Sequence, residues 1–201
     1  MKKIGYYGGS FDPIHFGHIN LALEMAEIHG LDSVLFCPAN INPHKQRDLI
    51  PVTSSQRLKM VELAIEDIPH FKCIDLEIKR GGISYTVDTL KELKSKFKED
   101  QLFLILGLDS AIDFPNWKNP DEILTLATPL IGCRETNQEN SDLCNHLNLL
   151  KKNLTNTSLL DISSTEIRQR ISQGKYIRHL VPSKVVDYIY ENQLYSSSLS
   201  P

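Results

Sequence analysis

Gly8-Gly9-Ser10-Phe11-Asp12-Pro13-Ile14-His15-Phe16-Gly17-His18 is the stretch on which the reading of this chain turns. A short apolar run, Ile4 to Tyr7, precedes it, and a helical pattern, Ile19 to Ile28, follows. The order is therefore strand, glycine turn, helix start. A helix N-terminus offers unpaired N–H groups and the positive end of a dipole, so it favours an anion. Glycines let the backbone approach that anion closely, and two imidazoles three residues apart add donors that can follow charge developing on it. A glycine pair after a strand is common, a single histidine is usually a core or surface residue, and the i, i+3 spacing also suits a metal pair. The coincidence of strand, glycine turn and paired histidines favours phosphate over these readings.

Outward from this segment, strand-like and helix-like patterns alternate. Strands are expected at Ile4–Tyr7, Ser33–Pro38, Phe71–Ile78, Leu102–Leu106, Thr128–Cys133 and Ser158–Ile162. Helices are expected at His18–Ile28, Ser54–Ile68, Thr86–Phe97, Thr165–Ser172 and Ser183–Asn192, the second capped by Thr53 or Ser54. Alternation of this kind implies an α/β fold: a mostly parallel, doubly wound, Rossmann-like sheet with a small C-terminal helical part. Ligands of such sheets sit at the carboxyl ends of the strands, where Gly8–His18, Pro38–Lys45, Gly107–Ser110, Arg134 and Ser163–Arg168 all fall. The expected organisation is one domain over residues 1–195, its helical part near 163–195, followed by a frayed tail at 196–201. The polar, Asn-rich stretch 135–156 reads as loop.

With 201 residues, 41% apolar and 23% charged, the chain has the composition of a soluble globular protein able to bury a core. A net charge of −3 argues against general nucleic-acid binding. No stretch approaches the length needed to span a membrane, and the N-terminus does not read as a signal peptide. Cys37, Cys73, Cys133 and Cys144 lack metal-site spacing. Free thiols in apolar runs fit a reducing, cytoplasmic location.

Other residues carry candidate chemistry. Ser163-Ser164-Thr165 opens a helix, and the bland reading is N-capping. The cluster is richer in hydroxyls than a cap needs, which favours a second anion site, with Arg168 one turn on supplying a planar fork for phosphate. Lys45 is either a solvated loop lysine or a point charge on phosphate. Arg134 ends a strand on the expected face and is a candidate nucleotide contact. Asp109, after Gly107 at the end of the central strand, suits ribose hydroxyls. Tyr85, Thr86 and Trp117 could present aromatic area and a hydroxyl to a flat heterocycle, although Trp117 between Pro115 and Pro120 also suits surface packing.

The glycine–histidine segment resembles the (H/T)xGH signature of the nucleotidyltransferase superfamily, which includes class I aminoacyl-tRNA synthetases. Pro43-His44-Lys45, Ser84-Tyr85-Thr86, Gly107-Leu108-Asp109-Ser110, Trp117, Cys133-Arg134, Ile162-Ser163-Ser164-Thr165-Glu166-Ile167-Arg168 and Leu180-Val181-Pro182 extend the resemblance to nearly the whole chain. Together they are similar to the bacterial nicotinate-nucleotide adenylyltransferases. Two positions depart from that pattern: Leu108 stands where alanine is usual, and Ser10 where threonine is usual.

The resemblance implies transfer of AMP from ATP to nicotinate mononucleotide, with pyrophosphate released and Mg²⁺ brought by ATP. It assigns catalysis to His15, His18, Lys45 and Arg168. It assigns ATP to Gly8, Gly9, Ser10, Phe11, His15, His18, Gly107, Asp109, Arg134, Ile162, Ser163, Ser164, Thr165 and Arg168. The mononucleotide falls to Ser10, Lys45, Tyr85, Thr86 and Trp117. Both substrates are small molecules; neither a nucleic acid nor a membrane is expected as partner, and a homo-oligomer is compatible with the sequence. Rival readings are an adenylyltransferase for nicotinamide mononucleotide or phosphopantetheine, a class I synthetase fragment, for which a KMSKS-like loop is missing, and a non-catalytic nucleotide sensor.

Overall fold

Strand β1 (Lys3–Gly9) lies at the centre of a six-stranded sheet of order β3-β2-β1-β4-β5-β6. The computed structural model describes residues 1–43, 52–133, 153–158 and 160–196. Within them the chain runs β1, α1 (Phe16–His29), β2 (Ser33–Pro38), α2 (Ser54–Ile65), β3 (Phe71–Cys73), α3 (Leu76–Arg80), α4 (Thr86–Lys96) and β4 (Gln101–Gly107). It continues through α5 (Leu108–Asp113), a 3-10 turn (Phe114–Asn116), α6 (Pro120–Leu126), β5 (Thr128–Cys133), β6 (Leu154–Asn156), α7 (Ser164–Ser172) and α8 (Ser183–Glu191). All five described pairings are parallel. Among the described residues, no helix is long and apolar enough to cross a membrane.

The strands are apolar on both faces because helices cover both, as a parallel sheet requires. Side-chain alternation divides the interior. Tyr7, Val34, Phe36 and Ile105 pack with Met25, Met60, Ile167 and Val185 of α1, α2, α7 and α8. Ile4, Tyr6, Leu35, Leu104 and Leu106 pack on the other face with Val87, Leu90, Leu93 and Ile123 of α4 and α6. Thr53 caps α2, accepting from the Gln56 backbone N–H at 3.2 Å while Gln56 Oε1 accepts from the Thr53 N–H at 2.9 Å. This is a capping box, and it explains why α2 starts there.

Two expected strands are corrected. Phe71–Ile78 is a strand only through Cys73 and then turns into α3. β3 is an edge with a three-residue ladder to β2, and a short apolar run does not by itself separate strand from helix. In the segment expected as a strand at Ser158–Ile162, the described residues Ser158 and Leu160–Ile162 belong to none; the last described strand is Leu154–Asn156, inside the stretch read as loop. Ser158 is instead tied to α1, where its N–H donates to Glu24 (2.7 Å) and its carbonyl accepts from Asn20 (2.7 Å). Helices α5 and α6 follow β4 where no element was expected.

β1 pairs with β2 from Ile4 to Gly9 but with β4 only from Lys3 to Tyr6. Beyond Leu104, β4 continues with β5 alone as far as Gly107. The carboxyl ends of β1 and β4 therefore part where the winding direction reverses, which opens a crevice in a sheet of this type. Below it, buried Glu77 of α3 joins three elements: Tyr6 donates to Glu77 Oε1 at 2.7 Å, and Thr89 of α4 donates to the same oxygen at 2.8 Å. Arg80 in turn donates to the Thr89 hydroxyl at 3.1 Å. Thr89→Val keeps the shape but leaves a buried carboxylate oxygen short of a donor, so it should lower the unfolding free energy by about 1–3 kcal/mol. Urea denaturation of the two proteins measures this; equal stability would show that Glu77 does not need Thr89.

Candidate active site

The crevice is a cleft of about 740 Å³. It is bounded by the Gly8–His18 loop, the end of β2, the Ser84–Thr86 segment, the end of β4 with α5, Trp117 and the segment leading into α7. His15 is the N-cap residue of α1 and His18 its N3 residue, so the HxGH spacing is the spacing of a capping box. The backbone N–H of His15 donates to His18 Nδ1 at 3.3 Å. With Nδ1 accepting, a neutral His18 carries its proton on Nε2. The two rings lie 3.7 Å apart between centroids. Gly17 makes this possible, since a Cβ there would sit 3.0 Å from His15 Nδ1. Gly8 serves similarly, because a Cβ would meet the Tyr6 hydroxyl at 2.4 Å.

Phe11 has φ 47°, a left-handed conformation disfavoured for an aromatic residue. Its ring is buried against Tyr7 (5.4 Å), His18 (5.1 Å) and Phe36 (5.8 Å), which holds the strained loop in place. Arg57 of α2, 2% exposed, donates to the carbonyls of Ser10 (2.7 Å), Ala39 (2.6 Å) and Asn40 (3.1 Å). One guanidinium thus ties the loop after β1 to the loop after β2. Burial lowers its pKa from the ordinary value.

Of the residues proposed from sequence, Gly8, Gly9, Ser10, Phe11, His15, His18, Tyr85, Thr86, Gly107, Asp109, Trp117, Ile162 and Ser163 line the cleft. Ser163 is also the N-cap of α7, its hydroxyl accepting from the Glu166 N–H at 3.1 Å. Ser164, Thr165 and Arg168 stand behind the motif loop instead. The Ser164 hydroxyl donates to the Pro13 carbonyl (2.9 Å), and Arg168 donates to the Asp12 carbonyl (2.8 Å) and to Thr165 Oγ1 (3.2 Å). Lys45 and Arg134 lie outside the described residues.

Sequence reasoning passed over Glu77, Asn42 and Lys118, which also line the cleft. Asn42 donates to Ser10 Oγ at 3.0 Å. Lys118 sits 4.3 Å from the centre of the Tyr85 ring and pairs with Asp88 at 3.1 Å. Its position directly after Trp117 is the one signal that could have found it. Glu77 was hidden inside the run misread as strand.

Among the described residues, His15 Nδ1 is buried without a hydrogen-bond partner, and burial pushes the imidazole from 6.5 down to about 4. Between those values the unfolded chain binds more protons at this residue than the folded one, so stability rises with pH across the window. It is fully present above about pH 6.5 and lost as pH falls towards 4, by ~3 kcal/mol at about 1.4 kcal/mol per pKa unit. Thermal melts from pH 7 to 4.5 should therefore fall more steeply for the native protein than for His15→Gln; matching slopes would mean His15 is not held neutral by the fold.

The cytidylyltransferase-like family matches this chain over residues 6–170. A probable nicotinate-nucleotide adenylyltransferase of Dictyoglomus thermophilum is 43% identical over 199 residues, covering 96% of this chain and 99% of that protein. Another from Bacillus pumilus is 41% identical, covering 98% and 100%. Among solved structures, the nicotinic acid mononucleotide adenylyltransferase of Plasmodium falciparum complexed with NaAD superposes with a TM-score of 0.79, covering 97% of this chain and 98% of that one. At 22% identity that likeness speaks for the fold. The family match over residues 6–170, with 43% and 41% identity to the two bacterial relatives along nearly the whole of each chain, shows that this chain belongs to the cytidylyltransferase-like family and, within it, to the nicotinate-nucleotide adenylyltransferases.

Proposed function

We propose that the chain transfers AMP from ATP to nicotinate mononucleotide, giving nicotinate adenine dinucleotide and pyrophosphate. The observation that carries this reading is the imidazole pair at the start of α1, facing a cleft whose other wall holds Tyr85, Thr86 and Trp117. An oxygen of the mononucleotide 5′-phosphate attacks the α-phosphorus of ATP. The bond from that phosphorus to the oxygen bridging to the β-phosphorus breaks, and pyrophosphate leaves with the electron pair. No side chain is modified.

His18 donates from Nε2 to the phosphate oxygens as charge shifts onto them, with His15 and the first N–H groups of α1 beside it. Fixed donors aimed at developing charge are effective because they need no reorganisation during the reaction. Arg168 and Lys45 add charge on the phosphates. Asp109 suits ribose hydroxyls, Ile162 and Ser163 border the nucleotide, and Arg134 is a further nucleotide contact. Mg²⁺ is carried on the triphosphate, where it neutralises charge; the described residues hold no grouping of three or more His, Cys, Asp or Glu side chains suited to a metal.

The mononucleotide occupies the Ser10, Tyr85, Thr86 and Trp117 side. Trp117 supplies aromatic area to the pyridine ring. Helix α4 begins at Thr86 without a side-chain cap, so the positive end of its dipole meets the cleft beside the Lys118 ammonium. Both favour a carboxylate over a neutral amide. The backbone N–H of Trp117 already donates to the Phe114 carbonyl at 3.0 Å, which leaves the start of α4 as the better anion acceptor.

Residues 1–195 are read as one domain. Its support is the bonding of the C-terminal part to the motif loop, including Phe16 N–H to Leu180 O at 3.0 Å. Cys37, Cys73 and Cys133 are free thiols, in keeping with a cytoplasmic enzyme.

His18→Ala should lower kcat by roughly 100-fold or more, with ATP affinity changed far less, as for loss of one transition-state donor. Pyrophosphate release measures turnover, and near-normal turnover in a folded variant removes His18 from the chemistry. In the same assay, nicotinate mononucleotide should exceed nicotinamide mononucleotide in kcat/KM by about 100-fold or more. Equal efficiency with the amide would refute the acid assignment and leave adenylyl transfer standing.

A further inference from the structure

Asp12, 2% exposed within the motif loop, is approached from two distant parts of the chain. Tyr195, four residues beyond the end of α8, donates its hydroxyl to Asp12 Oδ1 at 2.6 Å. Arg168 reaches the backbone carbonyl of the same residue at 2.8 Å, but its guanidinium stands 3.8 Å from Asp12 Oδ2. That distance is too long for a hydrogen bond. A carboxylate and a guanidinium this close would ordinarily close into a two-pronged pair, since their geometries match. Here one of the two oxygens that such a pair would use, Oδ1, already accepts from Tyr195.

The Tyr195 contact is built into the fold. Its ring is 7% exposed and packs in the core formed by α1, α2, α7 and α8. The backbone at Tyr195 adopts φ 62° to turn the side chain inward. Burial, reinforced by the neighbouring Asp12 carboxylate, holds the hydroxyl well above the ordinary tyrosine value, so it remains a donor at any working pH. Arg57, a second cation near Asp12 among the described residues, is committed to the carbonyls of Ser10, Ala39 and Asn40. If the hydroxyl were removed, the donor left to satisfy Asp12 Oδ1 would be Arg168.

We propose that Tyr195 is a positioning residue for the reaction: by occupying one oxygen of Asp12, it keeps the Arg168 guanidinium from collapsing onto that carboxylate and leaves the N–H groups not engaged by the Asp12 carbonyl and Thr165 for the ATP phosphates. The inference rests on the placement of Arg168 at those phosphates. The end of the chain is thereby part of the ATP site without touching ATP.

Steady-state pyrophosphate release by the full chain, with ATP and nicotinate mononucleotide varied separately, tests this. Tyr195→Phe keeps the packed ring and removes only the hydroxyl. It should raise KM for ATP about tenfold, the size expected when one hydrogen bond of a charged group is diverted. KM for the mononucleotide should stay within about twofold. Arg168→Ala should also raise KM for ATP, and adding Tyr195→Phe to it should change nothing further, because the two act on one contact. An unchanged KM for ATP in Tyr195→Phe, an equal rise for both substrates, or a further rise in the double variant would each overturn the proposal. If Arg168→Ala itself leaves KM for ATP unchanged, the placement of Arg168 fails and the inference with it. If only Arg168→Ala raises it, Arg168 stands and Tyr195 does not.

Discussion

The parting of β1 from β4 is the constraint on which the site depends. β1 is paired with β2 from Ile4 through Gly9, but with β4 only as far as Tyr6. Had that second ladder continued to Gly9, the backbone of the glycine turn would have been consumed by the sheet. Because it stops, the last residues of both strands face a common space, and the loops that follow them become its walls. The crossovers that carry the chain from β1 to β2 on one side and from β4 to β5 on the other produce this reversal. The glycines then serve close packing: Gly8 lies over the Tyr6 hydroxyl and Gly17 over the His15 ring.

The histidine pair shows how secondary structure can do chemical work. The N-cap and N3 positions of a helix are neighbours in space, and serine with glutamate often fills them to satisfy the first N–H groups. Here both are imidazoles. One half of the reciprocal bonding is retained, from the His15 N–H to His18 Nδ1, and it fixes the tautomer that points a proton outward. The same helix start brings its dipole to bear on any phosphate placed there. Burial keeps His15 neutral, so at neutral pH the pair does not set two positive charges 3.7 Å apart.

Three buried charged side chains brace the site: Arg57 across the loops after β1 and β2, Glu77 beneath Tyr6, and Asp12 between Arg168 and Tyr195. Buried charges are weak sources of net stability, because desolvation offsets much of what pairing returns. Their value here lies in geometry. Each joins segments far apart in sequence and fixes a loop that would otherwise have several backbone positions available, and a misplacement of about 1 Å at such a site is enough to slow chemistry substantially.

The sequence by itself determined the strand–turn–helix around Gly8–His18, the alternation that makes a parallel sheet, and a cap for α2 at Thr53 or Ser54. These depend on local periodicity and on residues whose backbone preferences act within a few positions. It also pointed to Asp109 and Ser163 as cleft residues, because each follows a strand or opens a helix at the ligand-bearing edge, and to Tyr85, Thr86 and Trp117 through their aromatic and hydroxyl chemistry and the family resemblance. What it misread were short edge segments, Phe71–Ile78 and Ser158–Ile162, where the decision between strand, helix and loop belongs to the neighbouring element and not to the run itself. Only the tertiary structure decided that Arg57 and Glu77 are buried under the site, that Lys118 faces it, and that Tyr195 reaches back to Asp12. A helical arginine or a tyrosine near the end of a chain has no local signature of such a role. Its partner is set by how the sheet and helices close around it, and a bond spanning 183 residues of sequence exists only once they have.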